Sequence, residues 1–240
     1  MKISEIYQKL NTLSPFDLQE KWDNSGLLVG DMEREFEHIA LGLDIDKDNL
    51  EKAKENTLFI VHHPLIFSGL KELDFSVYPA NLLEVMVKKN LSLIAMHTNF
   101  DKTHLNTYVF EKVLGFKKES QEDFVCLSTG EWSKDELLAL LKEKLGLKVL
   151  KVVSPKQKIS SIALTTGAGA SLMDEVDADC FLTGDIKYHD AMKAMSQNLM
   201  MVDIGHYESE QFFAQILKGE LENLGVLGII TQSQNPFKII

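Results

Sequence analysis

The sequence predicts an α/β protein with two similar three-layer α/β/α domains, each built on a mixed, largely parallel sheet. Helical segments alternate with short apolar runs along the 240 residues. Several of these runs are apolar on both faces, which is typical of strands covered by helices on each side. The order of strands and polar landmarks in the first half recurs in the second half. This recurrence predicts an internal duplication with domains at 1–122 and 123–240, and a last strand that can return to the first domain.

The elements follow from local periodicity and from turn residues between the segments. Helices are predicted at 4–12, 47–56, 80–90, 105–115, 134–145, 188–198 and 207–224. Strands are predicted at 38–45, 57–61, 91–96, 160–166, 179–184, 199–205 and 226–231. Ser133 with Glu136 three residues later gives one helix a capping-box start. Chance similarity between α/β units, which reuse the same local pattern, is the alternative to a duplication.

Composition excludes several classes of function. A net charge of -11 argues against charge-driven binding to nucleic acid, because phosphate contacts need clustered Lys and Arg. No apolar run approaches the roughly 18 residues of a membrane span, and the start lacks the apolar block of a secretory signal, so we expect a cytoplasmic protein. Cys126 and Cys180 are far apart and lack a CxxC partner, which predicts buried free thiols. The basic stretch at 148–158 is typical of a solvated edge strand.

Six side chains of types that can bind metal lie just after three of the predicted strands: His62, His63, His97, Asp101, His206 and Glu210. In open α/β folds, loops from separate strands converge beyond the carboxyl ends of those strands, and ligands bind there. Burial in the core explains such residues poorly, because carboxylates and imidazoles are seldom buried unpaired. Each cluster taken alone is more typical of a polar pair at a helix end. The three together predict a metal site.

The number of donors favours two metal ions over one. Five or six ligands exceed what one tetrahedral ion uses, and a two-metal site about 3.5 to 4 Å across, with Glu210 bridging, accounts for the surplus. His62 and His63 can both bind only if the backbone turns after the strand, for which Pro64 is suited. His206 and Glu210 have the i and i+4 spacing that places both on one helical face. Imidazoles and carboxylates accept Zn, Fe, Mn or Ni, so the identity of the metal stays open.

Six segments carry a resemblance to a known family: 22–30 (WDNSGLLVG), 61–67 (VHHPLIF), 97–101 (HTNFD), 167–169 (GAG), 183–185 (TGD) and 205–210 (GHYESE). Together they resemble the NIF-three-like proteins, called GTP cyclohydrolase type 2 homologs in bacteria, and the resemblance runs nearly end to end. It implies a dinuclear metal centre, two similar α/β domains and a toroidal homohexamer. The chain is similar to the short form of the family, without the domain that longer members insert between the halves.

Residue by residue, the resemblance implies five metal ligands: His62, His63, Asp101, His206 and Glu210. His97 is then a nearby residue of the site, either a further ligand or a proton-transfer group that would act in catalysis. Asp185 stands where many relatives have Glu, which leaves its role open.

The activity implied by the resemblance is that of a metal-dependent hydrolase acting on a nucleotide. GTP and water would give 7,8-dihydroneopterin triphosphate and formate, with a metal-bound water attacking C8 of guanine while His97 or a metal-bound hydroxide moves protons. The same ligands suit a dinuclear phosphoesterase, and a regulatory scaffold that binds metal without turnover is the alternative from another class. We expect two divalent ions, a nucleotide partner such as GTP, self-association, and neither membrane nor nucleic acid as a partner.

Three further segments carry weaker signals. The glycines at 165–172 can present backbone N–H groups to phosphate, although such a pattern more often marks a tight turn. The segment 22–30 carries turn residues and is typical of a packed loop anchored by Trp22. The segment 183–189 either places Asp185, Tyr188 or His189 at the edge of the site or caps the following helix.

Overall fold

The structure is a computed structural model that describes residues 1–239. Its strands are β1 (Gly26–Val29), β2 (His38–Gly42), β3 (Thr57–Val61), β4 (Ser92–Ala95), β5 (Ser120–Glu122), β6 (Val125–Ser133), β7 (Lys151–Val153), β8 (Lys158–Leu164), β9 (Cys180–Thr183), β10 (Met200–Asp203) and β11 (Ile229–Ile230). Its α-helices are α1 (Ile3–Leu13), α2 (Lys47–Lys52), α3 (Ala80–Lys88), α4 (Thr98–Phe100), α5 (Asn106–Tyr108), α6 (Lys134–Leu145), α7 (Tyr188–Ser196), α8 (His206–Glu210) and α9 (Phe213–Asn223). Short 3₁₀ turns lie at Phe16–Leu18 and Ala170–Glu175, and wider π-type turns lie at Asp101–Leu105 and Val109–Val113.

The chain divides into two compact units. The first unit comprises residues 1–100 together with the chain from Phe213 onward, and the second comprises 101–212. The predicted domains, 1–122 and 123–240, have a different boundary. The first boundary lies earlier than predicted because the helical segment after β4 starts at Thr98. From Asp101 onward, this segment already belongs to the second unit.

The first unit is built on a five-stranded sheet in the order β1-β4-β3-β2-β11. Three of its four pairings, from β4 through β3 and β2 to β11, are parallel, and β1 runs antiparallel to β4 at one edge. All five residues of β3 are buried, as expected for a strand covered on both faces. Phe59 and Val61 of β3 pack in one apolar cluster with Met86 of α3 and Leu93 of β4. The carboxyl ends of β2, β3 and β4 therefore meet at one rigid edge of the sheet.

The second unit has a six-stranded sheet in the order β5-β6-β8-β9-β10-β7. Its central strands β8, β9 and β10 are parallel, whereas β5, β6 and β7 are antiparallel to their neighbours. The four strands β7-β10-β9-β8 match β1-β4-β3-β2 of the first unit in order and direction. This match confirms the α/β class with two mixed sheets and supports a duplication. The second sheet is parallel only at its centre, so "largely parallel" describes the first sheet better.

Several elements differ from the expected ones. The helix expected at 105–115 starts already at Thr98, and the helix expected at 207–224 is interrupted between α8 and α9. The strands β1, β5 and β6 were not expected. The stretch at 148–158 contains β7, whose position at the edge of the sheet and exposed Lys151 confirm the prediction of a solvated edge strand.

Both cysteines are buried free thiols, as predicted. Burial raises the pKa of Cys126 to about 11 and that of Cys180 to about 12. Neither thiol is therefore a nucleophile at neutral pH. The longest α-helix of residues 1–239 is α6 with 12 residues, and no helix in that range has the length and hydropathy of a membrane span.

Candidate metal centre

Three imidazoles lie together in the first unit, at the carboxyl ends of β3 and β4. His62 and His63 follow β3, and His97 follows β4; one ring nitrogen of each lies within 4.8 Å of the others. Consecutive residues of an extended strand point to opposite sides, yet the rings of His62 and His63 have centroids 4.9 Å apart. The backbone turns at this point, because the amides of both residues donate to the carbonyl of Leu43 at 3.2 and 3.0 Å.

Each of these rings has its Nδ1 atom at hydrogen-bond distance from an oxygen: Met96 O lies 2.9 Å from His62, Asp44 Oδ1 2.7 Å from His63, and Asp23 Oδ1 2.7 Å from His97. A carbonyl oxygen only accepts, so Nδ1 of His62 carries the proton, and Nε2 of the neutral ring has the lone pair. Metal-bound histidines are held in this way in proteins, since the second nitrogen donates to a carboxylate or a carbonyl.

The carboxylate of Asp23 orders the loop that precedes β1. Burial raises the pKa of Asp23, but the hydrogen bond and charge of His97 and the donors Thr98 and Asn24 outweigh it, so this pKa lies well below its usual range. Ser25 also donates to Asp23, at 3.1 Å. The expectation that Trp22 anchors this loop is wrong: the Asp23 side chain is fully buried, whereas Trp22 is 59% exposed.

A second group of donors lies in the second unit. His206 Nδ1 is 2.7 Å from Asp185 Oδ2, which gives Asp185 the orienting role that Asp23 and Asp44 have in the first unit. His206 Nε2 is 3.0 Å from Glu210 Oε2, and α8 places the two side chains on one face with i,i+4 spacing. Two atoms with lone pairs approach this closely only when a cation, either a proton or a metal ion, lies between them.

Asp101 belongs to the same group in the second unit. Its carboxylate is buried, and one of its oxygens lies within 4.8 Å of a carboxylate oxygen of Glu210. The Asp101 carbonyl accepts a hydrogen bond from Asn106 at 3.2 Å, and Asn106 in turn accepts from the amide of Thr166 at 2.7 Å. Two buried carboxylates repel each other unless a proton or metal ion is shared, so this pair favours a bound cation.

Gly167 makes room for the Glu210 carboxylate. It has a φ of +63°, and a Cβ atom at this position would overlap Glu210 Oε1 and lie 3.1 Å from Glu210 Cδ. The interpretation as a phosphate-binding loop is not supported, since the amide of Gly167 donates to Ser209 and that of Gly169 donates to Thr183. The glycines of this segment serve a tight turn instead.

The segment 183–189 contributes only Asp185 to this group. Tyr188 is the first residue of α7 and is exposed, and the amide of Lys187 donates to Asp190. The interpretation that the rest of this segment starts a helix is therefore correct.

The Duf34/NIF3 (NGG1p interacting factor 3) family profile matches residues 1–236. The chain belongs to this family. It is 48% identical over 239 residues to the GTP cyclohydrolase 1 type 2 homolog of Campylobacter jejuni, with 99% of both chains covered. It is 42% identical over 240 residues to the GTP cyclohydrolase 1 type 2 of Helicobacter pylori, again with 99% of both covered. A crystal structure of a Staphylococcus aureus hypothetical protein has the same fold, with a TM-score of 0.86, 24% identity and coverage of 100% of this chain and 99% of that one.

In this Duf34/NIF3 protein the predicted donors lie in two groups, one in each unit: His62, His63 and His97 in the first, and Asp101, His206 and Glu210 in the second. Imidazole nitrogens and carboxylate oxygens suit Zn, Fe, Mn and Ni, so the donor set fits divalent ions. Sequence reasoning missed the orienting residues Asp23 and Asp44. Asp44 could have been found as an acidic residue directly after a strand, but nothing in the sequence links Asp23 to His97.

Proposed function

We propose that this Duf34/NIF3 protein is a divalent-metal-dependent hydrolase that acts on a nucleotide and converts GTP and water into 7,8-dihydroneopterin triphosphate and formate. One observation carries the metal dependence: four imidazoles each have Nδ1 on an oxygen acceptor, in two groups of donors. The substrate is inferred from the relatives, because proteins 48% and 42% identical to this chain are named for GTP cyclohydrolase.

The proposed ligands are those predicted from the sequence: His62, His63, Asp101, His206 and Glu210. Bound divalent ions would activate water and stabilise negative charge that develops on the substrate. The protein contributes the orientation of its ligands. Met96, Asp44 and Asp185 fix three of the imidazole rings, so little entropy is lost when Nε2 binds an ion.

His97 is proposed as the residue that moves protons during ring opening. Its Nδ1 faces the buried carboxylate of Asp23, which stabilises the imidazolium that forms when Nε2 accepts a proton. The side chain retains 16% exposure, so solvent can return the proton. The alternative, that His97 is a further ligand, predicts loss of metal when His97 is replaced.

The test is incubation of metal-loaded protein with GTP, followed by detection of a fluorescent pterin and of formate. His97→Gln is expected to retain its metal content and to lose about 100-fold or more in kcat. Glu210→Ala is expected to lose metal as well as activity. His38→Gln, outside both donor groups, serves as the control. Release of inorganic phosphate without pterin would select the phosphoesterase, and full metal content with no turnover would select the metal-binding scaffold.

We also propose that the chain self-associates into the homohexamer that the family resemblance implies. β11 is an edge strand of its sheet, and the apolar side chains of Leu227, Ile229 and Phe237 near it are strongly exposed. Exposed apolar strand edges mark sites where chains associate. Light scattering on the 27.1 kDa chain is expected to give six times the mass of one chain, and Ile229→Lys is expected to reduce it. A monomer at micromolar concentration would contradict this proposal.

A further inference from the structure

Two large aromatic side chains of the first unit lie on its surface beside one another. Trp22 is 59% exposed and Phe67 is 48% exposed, and their ring centroids are 5.9 Å apart with planes tilted by 48°. We call this pair the aromatic ledge. Aromatic rings of this size are normally buried, so a pair that shares one exposed surface indicates a binding role.

The aromatic ledge borders the imidazole group. The planes of its two rings are nearly perpendicular to the imidazole plane of His97. The ring centroids lie 6.3 Å from that of His97 for Trp22 and 6.2 Å for Phe67. The interplanar angles are 77° and 78°, so neither ring stacks on the imidazole. A planar group lying on the ledge would therefore lie beside the imidazole of His97, the residue proposed to move protons.

The loops that carry the ledge are fixed by hydrogen bonds from neighbouring residues. Asn24, two residues after Trp22, donates to the carbonyl of Ile66, the residue before Phe67. Asp23, directly after Trp22, is buried against His97 and Thr98. The exposure of the two rings is thus a property of an ordered structure. Preformed aromatic surfaces bind planar ligands with little loss of entropy.

We propose that the aromatic ledge binds the purine ring of the nucleotide substrate by stacking, and so determines specificity for a base next to His97. This proposal rests on the proposed function. Stacking on aromatic side chains does not distinguish strongly between bases, because every base has a π face. The ledge therefore accounts for retention of a base, and the polar groups around His97 would position the atom that reacts.

Fluorescence of Trp22 tests the proposal directly. The chain has two tryptophans, and Trp132 lies in the second unit against Phe116. Trp132→Phe leaves Trp22 as the only tryptophan. In this metal-loaded variant, GTP is expected to quench the emission saturably, whereas inorganic triphosphate, which has no base, is expected to leave it unchanged. Equal effects of both would overturn the proposal. Shielding of Trp22 from acrylamide in the assembled protein would also overturn it, because a second copy of the chain would then cover the ledge.

Calorimetric binding of GTP to metal-loaded variants gives the second readout. Trp22→Leu is expected to raise the Kd about tenfold or more, and Trp22→Phe to restore most of the affinity. Val87→Ala removes a 73% exposed apolar side chain on α3, elsewhere in the first unit, and is expected to leave the Kd unchanged. An unchanged Kd in Trp22→Leu would overturn the proposal that the ledge binds the base, even if the protein converts GTP into a pterin. Conversely, Trp22-dependent binding of GTP without pterin formation supports the ledge while refuting the proposed reaction.

Discussion

Replacement of Gly167 by alanine tests the organisation of the second donor group. The new Cβ would overlap Glu210 Oε1, and the carboxylate must retreat by about 1 Å to reach an ordinary carbon–oxygen contact. Displacement of a group in a catalytic site by this distance costs about 100-fold in rate. The φ of +63° adds a backbone penalty of about 1 to 2 kcal/mol in the free energy of unfolding.

Gly146→Ala is a matched control in the same unit. Gly146 has a φ of +69° at the end of α6, and no atom lies within 4 Å of the Cβ that alanine would add. Gly146→Ala is thus expected to lose about 1 to 2 kcal/mol in urea denaturation, which is the backbone penalty alone. Gly167→Ala is expected to lose at least as much, because its Cβ also displaces the buried Glu210 carboxylate. Only Gly167→Ala is expected to bind metal about 10- to 100-fold more weakly, as measured by competition with a chelator. Wild-type metal affinity in Gly167→Ala would refute the assignment of Glu210 as a ligand held against Gly167.

Three further outcomes are expected. Asp185→Asn should weaken metal binding about 10- to 100-fold by removing the acceptor that orients His206, and an unchanged affinity would contradict that role. Native protein should resist alkylation by iodoacetamide at pH 8, because the pKa values of Cys126 and Cys180 are raised to about 11 and about 12, whereas the urea-unfolded chain should react; modification of the native protein at a similar rate would count against burial. The pKa of Asp23 is lower in the folded protein than in the unfolded chain, where it is about 4, so the ionised carboxylate stabilises the fold above that pH and this contribution is lost as the pH falls. Asp23→Asn should therefore cost about 1 to 3 kcal/mol in the free energy of unfolding at pH 7. It should also reduce the loss of stability between pH 5 and pH 3 in denaturation curves.

The central strands could be predicted from the sequence because burial on both faces leaves continuous apolar runs. β3 and β10, for example, consist entirely of buried residues, and the runs that predicted them contain their full length. β1 could not be found in this way. Its four residues begin with Gly26 and are followed by Gly30, so turn residues dominate the local pattern, and its pairing with β4 is a tertiary contact.

The helical start at Thr98 was missed for a related reason. Thr98, Asn99 and Asp101 are residue types that favour caps and turns, so the local sequence predicts a loop there. Tertiary contacts override this preference: Asn99 is fully buried and donates to the carbonyl of Ser14 at 2.9 Å. The positions of the imidazoles and carboxylates could be read from the strand ends. Their orienting partners could not, since Asp23 is 74 residues from His97 in the sequence.

The pairing of β11 with β2 has a consequence for the order in which the protein folds during synthesis. The second unit is one uninterrupted segment, 101–212, and all of it emerges before α9 and β11. Residues 1–100 must wait for these two elements, and until then one edge of β2 lacks its partner. Domains that emerge complete fold first, and unpaired strand edges are prone to aggregation. The interval between release of residue 100 and arrival of residue 230 is therefore when a chaperone would be needed most.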